Sequence, residues 1–174
     1  MISRNTALVI VDMQKYYLEK ESDYYKYFET NHPGCLDYIL DRSHSIVIPN
    51  ILKLLHLFRS LNLTVVFLRL CSFKEDRSDL HRFFKETNIT GVEHGFNNIY
   101  PLESDSQSHI IDELTPFLTE YVFTKQTFSP FNSTDIKELL QQLGIETLVM
   151  TGLATSQCVE TTARDASDNG FDII

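Results

Sequence analysis

The chain has 174 residues, 43% of them hydrophobic, enough to bury a core without disulfides or a structural metal, and a single domain over residues 1–174 is expected. Fifteen basic against twenty-four acidic side chains give a net charge of −9, and no Lys/Arg stripe interleaved with aromatics runs along the sequence, so nucleic acid is excluded as an expected partner. The opening MISRNTALVIVDMQ has only five apolar residues in its run before Asp12, too few for a secretory or membrane-spanning segment. Three scattered cysteines, Cys35, Cys71 and Cys158, lack CxxC spacing. A soluble, cytoplasmic protein with reduced thiols and no membrane association is the expectation.

In chain order, ALVIV (7–11) reads as a short buried strand that ends at Asp12. The stretch from Gln14 to Ser45 carries five tyrosines between Tyr16 and Tyr27 and then NHPG. It is far longer than the usual βα connection of about 2–6 residues and is expected to be a loop, functional or mobile. Ile51, Leu54, Leu55 and Phe58 behind Pro49 predict a helix, and LTVVFLRL (63–70) a second strand. A polar insertion follows over 71–107, with a helical turn expected around Leu80 to Phe84. A third strand is predicted at YVFT (121–124). The pattern Ile136, Leu139, Leu140, Leu143 predicts a helix with Ser133 or Thr134 as its cap and Gly144 as its stop. TLVMT (147–151) is a fourth strand, VETTARDA opens another helix, and FDII (171–174) reads as a fifth strand in a chain that is expected to be truncated there. Strands alternating with helices indicate an α/β fold with a parallel sheet and crossover helices.

Both insertions follow strand C-termini, where open α/β sheets place their ligand crevice. Cys158 sits in the same place after the fourth strand, behind the small-residue turn TGLATSQ and at the start of a helix. A helix N-terminus lowers a thiol pKa by presenting N–H groups and the positive dipole end, so Cys158 is expected to be the reactive thiol. Cys35 and Cys71 lack that setting. No histidine lies at a comparable strand end, but Asp12 closes the first strand and Lys125 the third. Parallel strands bring these ends to one edge, so Asp, Lys and Cys can share a crevice. Taken singly, Asp12 also reads as a turn cap, Lys125 as a solvated strand end and Cys158 as a buried packing residue.

The blocks ALVIVDMQ, TKQTFSPFNST, GIETLVMTGLATSQCVETTARDA and GFDI, in that order, resemble the isochorismatase-like cysteine hydrolases, a family that includes nicotinamidases, N-carbamoyl amide hydrolases and ureidoacrylate amidohydrolases. The resemblance implies a three-layer α/β/α sandwich with an open parallel sheet. It implies Asp12 as general base, Lys125 as the cation that holds Asp12 ionised, and Cys158 as the nucleophile of a thioester mechanism. A cis peptide is implied at Leu153–Ala154, with an oxyanion hole from the N–H groups of Ala154 and Cys158. Tyr16 and Tyr17 after the first strand, and Phe128 and Phe131 after Lys125, are the expected substrate-binding residues, with the segment from Tyr16 to Tyr38 forming part of the substrate entrance. Nicotinamidases carry an Asp-x-His and a later His near the end of the second strand; the similar spacing here, Asp79, His81 and His94, is displaced into the insertion. No metal and no cofactor are therefore expected. True isochorismatases cleave a vinyl ether without a cysteine, which Cys158 argues against. The expected activity is hydrolysis of a small amide or N-carbamoyl compound by a homodimer or larger homo-oligomer. A metal-assisted nicotinamidase-like amidase and a catalytically silent, ligand-binding family member remain as alternatives.

Overall fold

The structure, a computed structural model, describes residues 2–174. Five parallel strands, β1 (Thr6–Val11), β2 (Thr64–Leu70), β3 (Tyr121–Lys125), β4 (Thr147–Gly152) and β5 (Asp172–Ile173), form one sheet in the order β3-β2-β1-β4-β5. All five predicted strands are present. β1 is buried along its whole length because both faces are covered, and its alternation sorts the two cores. Leu8 and Ile10 pack beneath α4 (Ile48–Ser60) with Ile51, Leu55 and Phe58. Ala7, Val9 and Val11 face the opposite layer with Ile136 and Leu140 of α6 (Ile136–Gln142) and Ala166 of α7 (Glu160–Asp168). The result is the three-layer α/β/α sandwich with an open parallel sheet.

Two regions differ from the expectation. The stretch from Gln14 to Ser45 is largely helical: α1 (Lys15–Leu18), α2 (Asp23–Asn31) and α3 (Asp37–Arg42) lead through a π-helical turn, Ser43–Val47, into α4. Ser22 starts α2 by accepting from the Tyr25 N–H at 3.0 Å, while its hydroxyl donates to the Tyr16 carbonyl at 2.7 Å. The aromatic spacing follows the helix, with Tyr24 and Phe28 one turn apart and their ring centroids 4.7 Å apart. The second insertion holds α5 (Arg82–Glu93), much longer than a turn near Leu80. Its inward face is Phe84, Asn88 and Gly91, at i, i+4 and i+7, and a side chain on Gly91 would strike Ile99. At α6 it is the Thr134 hydroxyl that accepts from the Ile136 N–H at 3.3 Å, whereas Ser133 turns back to the Gln126 N–H, also at 3.3 Å.

Two contacts set the C-terminal edge of the sheet. Gln14, wholly buried, accepts from the Leu70 N–H at 2.7 Å and donates to the carbonyls of Leu70 at 3.2 Å and Ser108 at 2.7 Å, tying the exit of β1 to the end of β2. Gly152 closes β4 opposite Val11 with φ of +105°, and a Cβ there would lie 2.1 Å from the Val11 carbonyl oxygen. Only glycine permits that approach of two backbones. Replacing Gly152 by Ala is expected to cost at least about 2 kcal/mol of stability, read as a lower urea midpoint at unchanged slope. An unchanged midpoint would show that the two strand ends separate freely.

Candidate active site

The strand order reverses between β1 and β4, which opens a crevice at their C-terminal ends. Asp12 is the first residue beyond β1 and adopts φ of +52°, a left-handed conformation that aspartate tolerates better than most side chains. Its N–H donates to the Leu68 carbonyl at 3.0 Å, which fixes the turn. Lys125 ends β3, two strands away, and two inter-strand spacings amount to roughly 10 Å. A long unbranched side chain crosses the end of β2 to reach the crevice. Cys158 lies in a π-helical turn, Thr155–Val159, between β4 and α7. The Leu153–Ala154 peptide before that turn is cis, and Ala154 is the residue at which the turn begins.

These three side chains meet. The Lys125 Nζ donates to Asp12 Oδ2 at 2.8 Å, to Cys158 Sγ at 3.4 Å and to the Thr127 carbonyl at 3.2 Å. Asp12 is 1% exposed, Lys125 0% and Cys158 4%, so the ammonium uses two of its donors on buried side chains and the third on the partly buried Thr127 carbonyl. Asp12 Oδ1 is buried with no hydrogen-bond partner among the described residues. Burial raises the Asp12 carboxyl above the ordinary carboxylate range, against the pull of Lys125. Burial by itself would depress the Lys125 ammonium, but the Asp12 charge and the hydrogen bonds to Asp12 and Cys158 outweigh it and the group is raised. The Cys158 thiol is raised, first by burial and then by the Asp12 charge, which together exceed the opposing effect of Lys125. The low-pKa thiol expected from the helix N-terminus is therefore corrected: at rest the sulfur keeps its proton beside a buried ion pair.

Over these groups lies a small cavity of about 40 Å³, walled by Asp12, Cys158, Leu153, Ala154 and Gln157 and roofed by Tyr17, Tyr24, Leu36 and Ile39. Of the expected substrate-binding residues, Tyr17 lines it and three do not. Tyr16 is wholly buried, with its hydroxyl on the Leu70 carbonyl at 3.1 Å. Phe128 stacks against Phe84 with centroids 4.6 Å apart, and Phe131 lies against Phe171 at 6.1 Å. Both phenylalanines leave β3 near Lys125, but their rings turn into apolar clusters rather than the crevice. Leu36, Ile39 and Gln157 are wall residues that sequence reasoning missed. The i, i+3 pair Leu36 and Ile39 was available as a signal once α3 was recognised as a helix.

Asp79, His81 and His94 do separate structural work. The Asp79 carboxylate accepts from the Ser72 hydroxyl and the Phe73 N–H. His81 caps α5 by accepting from the Phe83 N–H at 3.2 Å, and the His94 ring contacts the Thr90 carbonyl at 2.7 Å. The described residues contain no group of three His, Cys, Asp or Glu side chains placed to hold a metal ion. No helix among them is long and apolar enough to cross a membrane.

The doubly covered parallel sheet places the buried Asp12, Lys125 and Cys158 at its topological switch point, where open α/β folds bind ligands. The isochorismatase domain model matches residues 6–174, and the chain belongs to the isochorismatase family. It is 31% identical over 166 residues to the uncharacterized isochorismatase family protein YrdC of Bacillus subtilis, covering 95% of this chain and 68% of that protein. It is 45% identical over 56 residues to the ureidoacrylate amidohydrolase RutB of Methylorubrum extorquens, a match that covers 32% of this chain and 23% of the relative. A crystal structure of an isochorismatase family protein from Desulfovibrio vulgaris superposes with a TM-score of 0.77 at 24% identity, covering 98% of this chain and 78% of that one. The chain spans about half the length, or less, of several curated relatives it matches, with 48%, 35% and 23% of their residues covered.

Exposure and charge together set the order in which the thiols react. Cys35 is exposed, Cys71 is buried with its thiol pushed up to about 11, and Cys158 is buried and raised. Iodoacetamide at neutral pH is expected to label Cys35 first, with Cys158 and Cys71 lagging and accelerating as pH rises. Peptide mapping by mass gives the order; fast neutral-pH labelling of Cys158 would show a thiolate at rest.

Proposed function

We propose that the protein hydrolyses a C–N bond in a small amide or N-carbamoyl compound through a covalent thioester, with Asp12, Lys125 and Cys158 as its catalytic residues. The observation that carries this reading is the single Lys125 ammonium held 2.8 Å from a buried carboxylate and 3.4 Å from a buried thiol beneath a partly enclosed cavity. The ureidoacrylate amidohydrolase relative supports the choice of bond. In the proposed sequence the thiol proton passes to Asp12, whose Oδ1 has no other partner among the described residues, as sulfur bonds to the carbonyl carbon. The oxyanion that forms is met by N–H groups of the Ala154–Cys158 turn. Collapse breaks the C–N bond, and Asp12 returns the proton to the departing nitrogen. Water then gives its proton to Asp12 and attacks the thioester; the C–S bond breaks and the sulfur regains the proton. Lys125 stays charged throughout and opposes the negative charge that moves between carboxylate and sulfur.

The raised thiol suits this route, since a proton that leaves only when the carbonyl is in place leaves no exposed thiolate to be oxidised. Incubation with a panel of small amides and ureides should give an acyl adduct by intact mass that maps to Cys158 and is absent from Cys158→Ala. Asp12→Asn should reduce turnover at least about a hundredfold. Turnover that survives Cys158→Ala would overturn the covalent mechanism. Because Asp12→Asn leaves the buried Lys125 ammonium without its counter-charge, a melting curve must accompany that rate.

A further inference from the structure

The turn that follows β3 carries two part-buried hydroxyls that the proposed reaction does not use, on Thr127 and Ser133. They form a chain of hydrogen bonds. The Gln126 N–H donates to Ser133 Oγ at 3.3 Å, Ser133 Oγ lies 3.1 Å from Thr127 Oγ1, and Thr127 Oγ1 donates to the Ser129 carbonyl at 2.6 Å. A backbone N–H can only donate, a carbonyl can only accept, and each hydroxyl has a single proton to give. Thr127 gives its proton to Ser129, so the proton between the two hydroxyls comes from Ser133. Each hydroxyl thus donates once and accepts once, which explains why Ser133 faces this turn instead of capping α6. The turn is tied to the second insertion as well, by the His81 N–H on the Gln126 carbonyl at 2.8 Å. Between these tied points in sequence stands the Thr127 carbonyl, which accepts from the Lys125 ammonium at 3.2 Å.

We propose that Thr127 is a positioning residue for the Lys125 ammonium, with its carbonyl set in place by its own hydroxyl and that of Ser133. This role rests on the reading of Asp12, Lys125 and Cys158 as the catalytic residues, and concerns how the ammonium is shared between the other two. Nζ stands 2.8 Å from Asp12 Oδ2 and 3.4 Å from Cys158 Sγ. The carboxylate is the nearer and, being charged, the stronger acceptor. With the carbonyl as a third acceptor the ammonium is held among all three. If the carbonyl recedes, Nζ is free to settle on the carboxylate and leave the sulfur, which then loses part of the positive charge that favours its deprotonation.

Alkylation of Cys158 reads this without a substrate, so a failure to find any amide turned over counts against the hydrolase reading and not against the positioning role. Its pH dependence is compared by peptide mass in the native chain, Thr127→Val, Thr127→Ser and Ser133→Ala, each with a melting curve. Thr127→Val keeps the side-chain shape and removes both links of the hydroxyl. It should slow labelling about threefold at a given pH, equivalent to about half a pKa unit toward higher pH. Thr127→Ser keeps the hydroxyl and should label as the native chain does. Ser133→Ala breaks the chain from its far side and should shift the profile in the same direction by less; if Thr127→Val does not fold, an unshifted profile in Ser133→Ala overturns the role. In a Lys125→Met background Thr127→Val should change nothing, because no ammonium is left to position. A lowered melting temperature with an unshifted profile in Thr127→Val, a Thr127→Ser profile displaced as far as that of Thr127→Val, or a shift that persists without Lys125 likewise overturns it.

Discussion

The site depends on one buried ion pair. Lys125 and Asp12 are both shut off from solvent, and removing water from two charges costs several kcal/mol per ion before their attraction is counted. Such a pair is tolerable when its remaining donors and acceptors are used, and here the ammonium places its other two protons on the Thr127 carbonyl and on sulfur. Within the pair, Asp12 Oδ1 is left without a hydrogen-bond partner among the described residues. A strong acceptor left open next to a protonated thiol is an unfavourable ground state for packing and a suitable one for proton transfer.

Everything around the pair serves to hold three chain segments in register. β1 sits between β2 and β4, so the turn after β1 and the turn after β4 share one edge. The Gly152 approach to Val11, together with the Leu153 N–H on the Val11 carbonyl at 2.9 Å, locks that edge on one side. Gln14 locks the other side against β2. Lys125 reaches over β2 from the edge strand, and the Cys71 N–H on the Lys125 carbonyl at 3.3 Å fixes where that reach begins. The sheet thus carries Asp12, Lys125 and Cys158, while the roof comes from the α1–α3 excursion, where α2 has no fully buried residue. The cavity floor thus comes from the sheet edge, and its roof from a helical excursion anchored by Tyr16 and Leu18 of α1 and Leu40 of α3.

Much of this was legible in the sequence, for a physical reason. Runs such as ALVIV and TLVMT are β-branched, short and apolar on both faces, which is what a central parallel strand requires, and the residues ending them fall on one edge by topology alone. That brought Asp12, Lys125 and Cys158 together before any coordinates. The helices of the two insertions were not legible because α2 has no fully buried residue to mark a core face and α5 buries an aromatic, an amide and a glycine instead of an aliphatic stripe; Phe84, Asn88 and Gly91 do not read as a core face. Phe128 and Phe131 show a second limit, since nearness to Lys125 in sequence does not fix the direction in which a ring points after a turn. The thiol shows a third: the helix start was visible, but burial and the Asp12 carboxylate, which dominate the sulfur, are tertiary facts.

The central claim is that carboxylate, ammonium and thiol act on one another as a unit, and it can be tested without knowing the substrate. The pH dependence of Cys158 alkylation, followed by peptide mass in the native chain, Asp12→Asn and Lys125→Met, reads the charge felt by the sulfur; one pKa unit is about tenfold in thiolate at a given pH. Removing the Asp12 charge should shift the profile to lower pH and speed labelling, and removing the Lys125 charge should shift it higher and slow labelling. Profiles that coincide in all three proteins, each shown to be folded, would contradict the account.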